Sequence, residues 1–165
     1  MERIDNLDKK ILKIIMNNAR IASKDVAQEC GVSRAAVHQR IQRMNELNVI
    51  TGSSYNVDPA ALGFTTCTYV GIKLERSSLY REIIPKLKEI PEIVECHYTT
   101  GSYSVLVKLY ARDNHHLMEL IYDKIQHIPG VITTETLISL DQCIGRKLPV
   151  NFMVGWHQEQ SQNSN

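Results

Sequence analysis

The sequence predicts an α+β chain in two parts: a small helical unit ending in an extended wing, then an antiparallel sheet covered on one face by helices. Three observations predict it. Residues 24–47, KDVAQECGVSRAAVHQRIQRMNEL, hold two short amphipathic helical patterns on either side of Gly31. After Leu47 the apolar spacing changes from a helical period to an extended one. From Phe64 onward the segments follow the order strand, helix, strand, strand, helix, strand.

Each element has a local reason. Asp5 or Asn6 caps a first helix whose apolar face is Leu7, Ile11, Ile14 and Ile15. Ser23 caps a second helix carrying Val26 and Ala27. Two helices crossing steeply need a small side chain at their contact, a turn residue that accepts positive φ, and an apolar anchor. Ala27, Gly31 and Val37 meet those demands, and Ser33 caps the third helix. Advancing about 100° per residue, Val37, Ile41, Met44 and Leu47 make a narrow stripe for the core. Ala35, Gln39 and Gln42 point the opposite way, flanked by Arg34, His38, Arg40 and Arg43, with no acidic residue until Glu46. Residues 49–57, VITGSSYNV, predict the wing, which ends at Asp58-Pro59.

In the second part, Phe64 to Leu74 is rich in residues that favour strand. Ser77 or Ser78 starts a helix with Leu79, Ile83, Leu87 and Ile90 on one face. Ile93 to Thr100 and Ser102 to Tyr110 are strands turning at Gly101. Asp113 or Asn114 caps a helix with Leu117, Leu120, Ile121 and Ile125 inward, and Val131 to Leu140 is the last strand. Ile90-Pro91-Glu92-Ile93-Val94 recurs as Ile128-Pro129-Gly130-Val131-Ile132, each time between a helix and a strand. Two such halves make a ferredoxin-like βαββαβ sandwich. Its second sheet face has no helices to cover it, and Cys67, Tyr69, Leu106 and Tyr110 on that face predict that another subunit packs there, a monomer with a more polar sheet face being the competing reading. The expected organisation is a helical domain over 1–58, a linker over 59–63, the sandwich over 64–145 and a tail over 146–165.

Composition narrows the class. The chain has 165 residues, is 43% hydrophobic, and contains no apolar run long enough to span a bilayer. Its charged start is unlike a signal segment, so a cytoplasmic setting is expected. Cys30, Cys67, Cys96 and Cys143 are scattered with no Cys-x-x-Cys pair, as for buried thiols in a reducing compartment. Residues 1–58 carry nine Lys+Arg against seven Asp+Glu, and the remainder ten against eleven. Neither half is strongly basic, so a single subunit is expected to hold DNA weakly and salt-sensitively.

The paired helices read as a helix-turn-helix whose second helix enters the major groove. Ser33, Arg34, Ala35, His38, Gln39, Arg40, Gln42 and Arg43 are the candidate DNA contacts. Small and amide residues suit base edges, and guanidinium groups suit phosphates or guanine. A solvated helix face has a similar composition, and His38 taken alone fits plain surface. Catalysis is not expected. His115 and His116 are adjacent on a helix and point about 100° apart, which spoils chelation. Cys96 and His97 alternate across a strand, and there is no nucleophile elbow, P-loop or HExxH. No metal or cofactor is expected.

Taken together, the chain resembles the Lrp/AsnC family, the feast/famine regulators of bacteria and archaea. The resemblance covers about residues 4 to 145. It rests on Ile4-Asp5-Asn6-Leu7-Asp8 with Ile11-Leu12, on Asn18-Ala19-Arg20 and on the Gly31-Val32-Ser33 turn. The second half adds Tyr98-Thr99-Thr100-Gly101-Ser102-Tyr103-Ser104 and Thr134-Glu135-Thr136-Leu137-Ile138. The pattern is most similar to the asparagine-responsive AsnC branch.

The resemblance implies a sequence-specific transcription regulator that binds double-stranded DNA. It also implies a homodimer, often built into an octamer of four dimers, with a small effector, usually an amino acid, held between subunits. Carried over by motif, the effector residues are Gly101, Ser102, Tyr103 and Ser104, with Thr134, Glu135 and Thr136 as neighbours. Many relatives have Gly-Asp-x-Asp in the first loop, where this chain has Ser102 and Ser104. The AsnC branch shares that departure, which fits an effector with a polar, uncharged side chain. Gly101 lets backbone N–H groups approach a carboxylate, and Glu135 balances an ammonium. A hairpin turn with polar neighbours accounts for the same residues without an effector. A DNA-packaging protein with no effector control is the rival function.

Overall fold

The computed structural model describes residues 4–150 and divides into two compact units. One runs to Tyr55 and takes up the chain again from Arg146, and the other is Asn56–Gly145. The division falls a little before the expected one at residue 58, and Val150 of the expected tail packs on the core of the first unit. The part of that tail from 151 onward lies outside the described residues.

The first unit has three helices: α1 (Asn6–Asn17), α2 (Ser23–Cys30) and α3 (Arg34–Glu46). Asp5 caps α1 in a reciprocal box, its carboxylate accepting from the Asp8 N–H at 2.9 Å while Asp8 accepts from the Asp5 N–H at 3.0 Å. Ser23 does not cap α2. Ala22 holds the cap position without a side-chain bond, and Ser23 is already helical. Gly31 closes α2 at φ +71°, the left-handed region that favours glycine. Ser33 Oγ then accepts from the Ala36 N–H at 3.1 Å and starts α3, a cap worth about 1 kcal/mol. Ile11, Leu12, Ile14, Val26, Ala27, Val37 and Met44 form the core.

Two expectations for this unit need correction. Leu47 is exposed, because α3 ends at Glu46 and the apolar stripe ends with Met44. Of the extended wing or strand expected over 49–57, no strand forms: residues 51–58 carry neither helix nor strand. A strand needs a ladder partner, and the described part of this unit offers no second strand to pair with. Tyr55 lies instead under the Arg20 guanidinium, 4.2 Å from its carbon to the ring centroid.

The second unit is a four-stranded antiparallel sheet of β1 (Thr66–Leu74), β2 (Ile93–Tyr98), β3 (Val105–Ala111) and β4 (Val131–Ser139), in the order β2-β3-β1-β4. The expected ferredoxin-like arrangement requires that order. The first crossover is α4 (Tyr80–Lys88), entered through a 3₁₀ turn at Ser77–Leu79 in which neither serine caps. The second is α5 (Asn114–Glu119), capped by Asp113 and prolonged by a π-helical stretch over Leu120–Ile125. Val70, Ile72, Leu74, Val105, Val107 and Leu109 point to the helices and pack with Ile83, Leu87, Leu120 and Ile125.

β2 and β3 are shorter at their junction than expected, so a loop over 99–104 joins them. Within this unit, none of the described helices packs on the opposite sheet face. Lys108 sits there between Tyr69 and Tyr110, its nitrogen 5.9 and 5.6 Å from their ring centroids and 3.4 Å from Glu95. The open face is therefore aromatic and charged rather than simply apolar.

Candidate DNA interface and effector site

On α3 the eight expected contact residues separate into two groups. Arg34, Ala35, His38, Gln39 and Gln42 are exposed, with Ser33 at the cap. Gln42 Nε2 donates to Glu46 Oε1 at 3.2 Å, one turn along the helix. Arg40 and Arg43 are held elsewhere. Arg40 pairs with Asp5 and, at 3.0 Å, with Asp8 Oδ1, while Arg43 reaches Asp8 Oδ2 at 3.1 Å. Asp8 is fully buried, so its two oxygens answer two guanidinium groups and the Asp5 N–H. The Arg40 guanidinium, and then the Asp8 N–H, hold the Asp5 carboxyl below the usual carboxylate range. Arg40 and Arg43 are among the expected DNA contacts, and in this structure both guanidinium groups turn to carboxylates of α1. Geometry gives the reason: they lie on the flank of α3 turned toward α1, whose Asp8 needs counter-charge.

In the sandwich, the residues expected around the effector also separate. Gly101 stands at φ +104° in the 99–104 loop. The loop is tied down, with Ser104 N–H donating to the Ile72 carbonyl at 2.9 Å and Thr99 Oγ1 to the Tyr103 carbonyl at 2.8 Å. Tyr103 folds over β1, against Gly71. Its hydroxyl hydrogen-bonds Glu135, and that carboxylate pushes the phenol above its ordinary range. Gly71 pairs directly with Glu135 in the β1–β4 ladder, so the three residues meet on the open face.

Thr134 and Thr136 do not join them. They alternate to the helix side with Ile72 and Val70, and Thr134 Oγ1 accepts from Gln126 Nε2 at 2.7 Å. Gly71 was missing from the expected set, although a glycine inside a strand often marks close approach by another group. Asp8 was missing too. Of the histidines set aside earlier, His115 faces Glu119 at 3.3 Å in solvent, while His116 is buried against Glu92 at 3.4 Å. Among the described residues no three or more His, Cys, Asp or Glu are grouped to hold a metal, and no helix is long and apolar enough to cross a membrane.

A three-helix DNA-reading unit joined to a sandwich with a polar loop at its open face is the build of a ligand-responsive regulator. The AsnC-type helix-turn-helix domain matches residues 4–45, and the Lrp/AsnC ligand binding domain matches residues 67–148. Regulatory protein AsnC of Escherichia coli (strain K12) is 38% identical over 145 residues, covering 88% of this chain and 95% of that protein. An HTH-type transcriptional regulator of Pyrococcus horikoshii is 34% identical over 137 residues, covering 83% and 89%. The solved structure of E. coli AsnC superimposes with a TM-score of 0.86 at 37% identity, over 90% of this chain and 99% of that one. A transcriptional regulator of Neisseria meningitidis, solved as an L-Met complex, gives a TM-score of 0.86 at 16% identity over 92% and 100%, which is a likeness of fold. The chain belongs to the Lrp/AsnC family of helix-turn-helix transcriptional regulators. The relatives are named as regulators, not as enzymes.

Proposed function

We propose that this regulator reads duplex DNA through Ser33, Arg34, Ala35, His38, Gln39 and Gln42, and is controlled by an amino acid, asparagine by preference, bound at the open face of the sandwich. The observation that carries the effector reading is the meeting of Tyr103, Gly71 and Glu135 beside the positive-φ loop at Gly101. A free amino acid needs donors for its carboxylate, which the backbone N–H groups of Gly101 and Ser102 and the hydroxyls of Ser102 and Ser104 supply. It needs an acceptor for its ammonium, which is Glu135. Tyr103 walls the site. Thr134 and Thr136 serve the opposite sheet face in this reading. The Neisseria relative binds L-Met, an amino acid with a neutral side chain.

The uncovered face around Tyr69 and Tyr110 supports self-association, with two sandwiches face to face and an octamer of four such dimers as the larger assembly. The protein works on DNA in the cytoplasm. Control then requires that the effector bind the DNA-competent assembly and its alternative with different free energies. Calorimetry of the full chain against the standard amino acids, with the assembly mass measured alongside, tests this. Binding of asparagine that is lost in Glu135→Gln is expected. Heat from none of the amino acids, with DNA binding intact, would establish the packaging reading instead.

A further inference from the structure

We propose that Asp8, assisted by Asp5, is a positioning residue for sequence discrimination: by drawing Arg40 and Arg43 against α1 it leaves the amide face of α3 to decide where the protein stays on DNA. This deepens the reading of α3 as the recognition helix and rests on it.

The acidic pair does more than cap. A cap needs one side-chain acceptor, yet Asp8 is fully buried and takes two guanidinium groups from a helix more than thirty positions away. Asp5, half exposed, holds Arg40 from the other side. On α3, Arg40 and Arg43 are i and i+3, so they share one flank. That flank lies roughly 100° from the line through Gln39 and Gln42, on the side from which a guanidinium beside a groove-bound helix reaches backbone phosphates. Released, both arginines would add backbone contacts, which strengthen binding to every sequence alike. Held, they leave the exposed face with Arg34 as its one arginine among Ala35, His38, Gln39 and Gln42. Amides discriminate through base edges, adenine above all. The ion pairs therefore lower the affinity for random DNA while leaving base contacts intact, and the ratio between the two rises.

The test uses the full chain and a duplex that the wild type enriches from a randomised pool, set against a scrambled duplex of the same composition. Both are titrated by fluorescence anisotropy over a salt series for wild type, Asp8→Asn, Asp5→Asn and Asp8→Glu, with thermal melts to confirm folding. Expected of Asp8→Asn are tighter binding of the scrambled duplex, a salt slope steeper by about one for each arginine that gains a phosphate, and a several-fold fall in the enriched-to-scrambled ratio. Asp5→Asn keeps a capping side chain on an exposed position and removes one of the two holds on Arg40, so a smaller shift in the same direction is expected of it, and Asp8→Glu, which keeps the charge, should restore the wild-type ratio. Folded Asp8→Asn or Asp5→Asn with the ratio and slope of the wild type overturns the proposal. So does equal weakening toward both duplexes, which is what a purely structural role would produce. Failure of the wild type to enrich any sequence would remove α3 as the reader, a different result from wild-type discrimination that Asp8→Asn and Asp5→Asn leave untouched.

Discussion

Tyr103 is packed against Gly71: a methyl carbon built on that glycine would stand 2.6 Å from two atoms of the ring. No side chain fits between them. The glycine in the middle of β1 is thus what lets an aromatic ring lie on the sheet and bring its hydroxyl to Glu135. Gly71→Ala should lever the ring away and separate phenol from carboxylate. With the wall of the site displaced and Glu135 left without its phenol partner, effector affinity measured by calorimetry should fall. Full affinity in that variant would detach Tyr103 from the site.

The same pair predicts a titration. Glu135 raises the Tyr103 phenol, so the neutral form is favoured in the folded protein. The stabilisation is complete below the ordinary tyrosine value of about 10 and is lost as pH rises through the higher folded value. Ultraviolet difference spectra at alkaline pH should therefore show one tyrosine ionising late, and Glu135→Gln should return it to the ordinary range.

At the acid end the sign reverses. Asp5, lowered chiefly by Arg40, and Asp113, lowered chiefly by the His116 N–H, stabilise the fold above the ordinary carboxylate range, and this is lost as pH falls through their lowered values. Each residue belongs to a different unit, so Asp5→Asn should flatten the acid limb of unfolding for the helical unit and leave the sandwich unchanged. Amide exchange followed by mass spectrometry separates the two.

Arg43→Ala and Gln39→Ala should differ in kind. Arg43 bonds the fully buried Asp8, and removing a partner from a buried charge costs about 3 kcal/mol. Its loss should lower the melting temperature before any effect on DNA is considered. Gln39 is exposed and should leave stability within about 0.5 kcal/mol while relaxing preference at one base position in a selection experiment. Relaxed preference with Arg43→Ala at an unchanged melting temperature would contradict the assignment.

Much of the fold could be read from local pattern. Gly31 and Ser33 announce the turn and the cap, and the repeated Ile-Pro at 90 and 128 announces two related halves. What could not be read depends on distance along the chain or on alternation. Asp8 looks like an ordinary first-turn acid, and nothing near it names the arginines at 40 and 43. Residues 49–57 have strand-like composition, but composition supplies no partner strand. Thr134, Glu135 and Thr136 are one motif in sequence, yet consecutive strand residues face opposite sides, so only Glu135 can meet Tyr103. Gly71 was visible as an odd residue in a strand, but the ring that requires it comes from the loop after β2.

The π-helical stretch at Leu120–Ile125 has its own effect on the last strand. Its wide turn, closed by the Gln126 N–H on the Ile121 carbonyl at 2.8 Å, delays Gln126 around the helix by one residue, and from there Nε2 meets Thr134. Deleting one residue here would restore ordinary winding with Gln126 in place, whereas ordinary winding at the present length would carry everything beyond it about 100° further round. The threonine hydroxyl would then lose its donor, and its neighbours on β4 would face a different helical surface. Insertions and deletions in this segment are thus coupled to the choice of residue at 134, a linkage that comparisons of related chains should expose as paired changes.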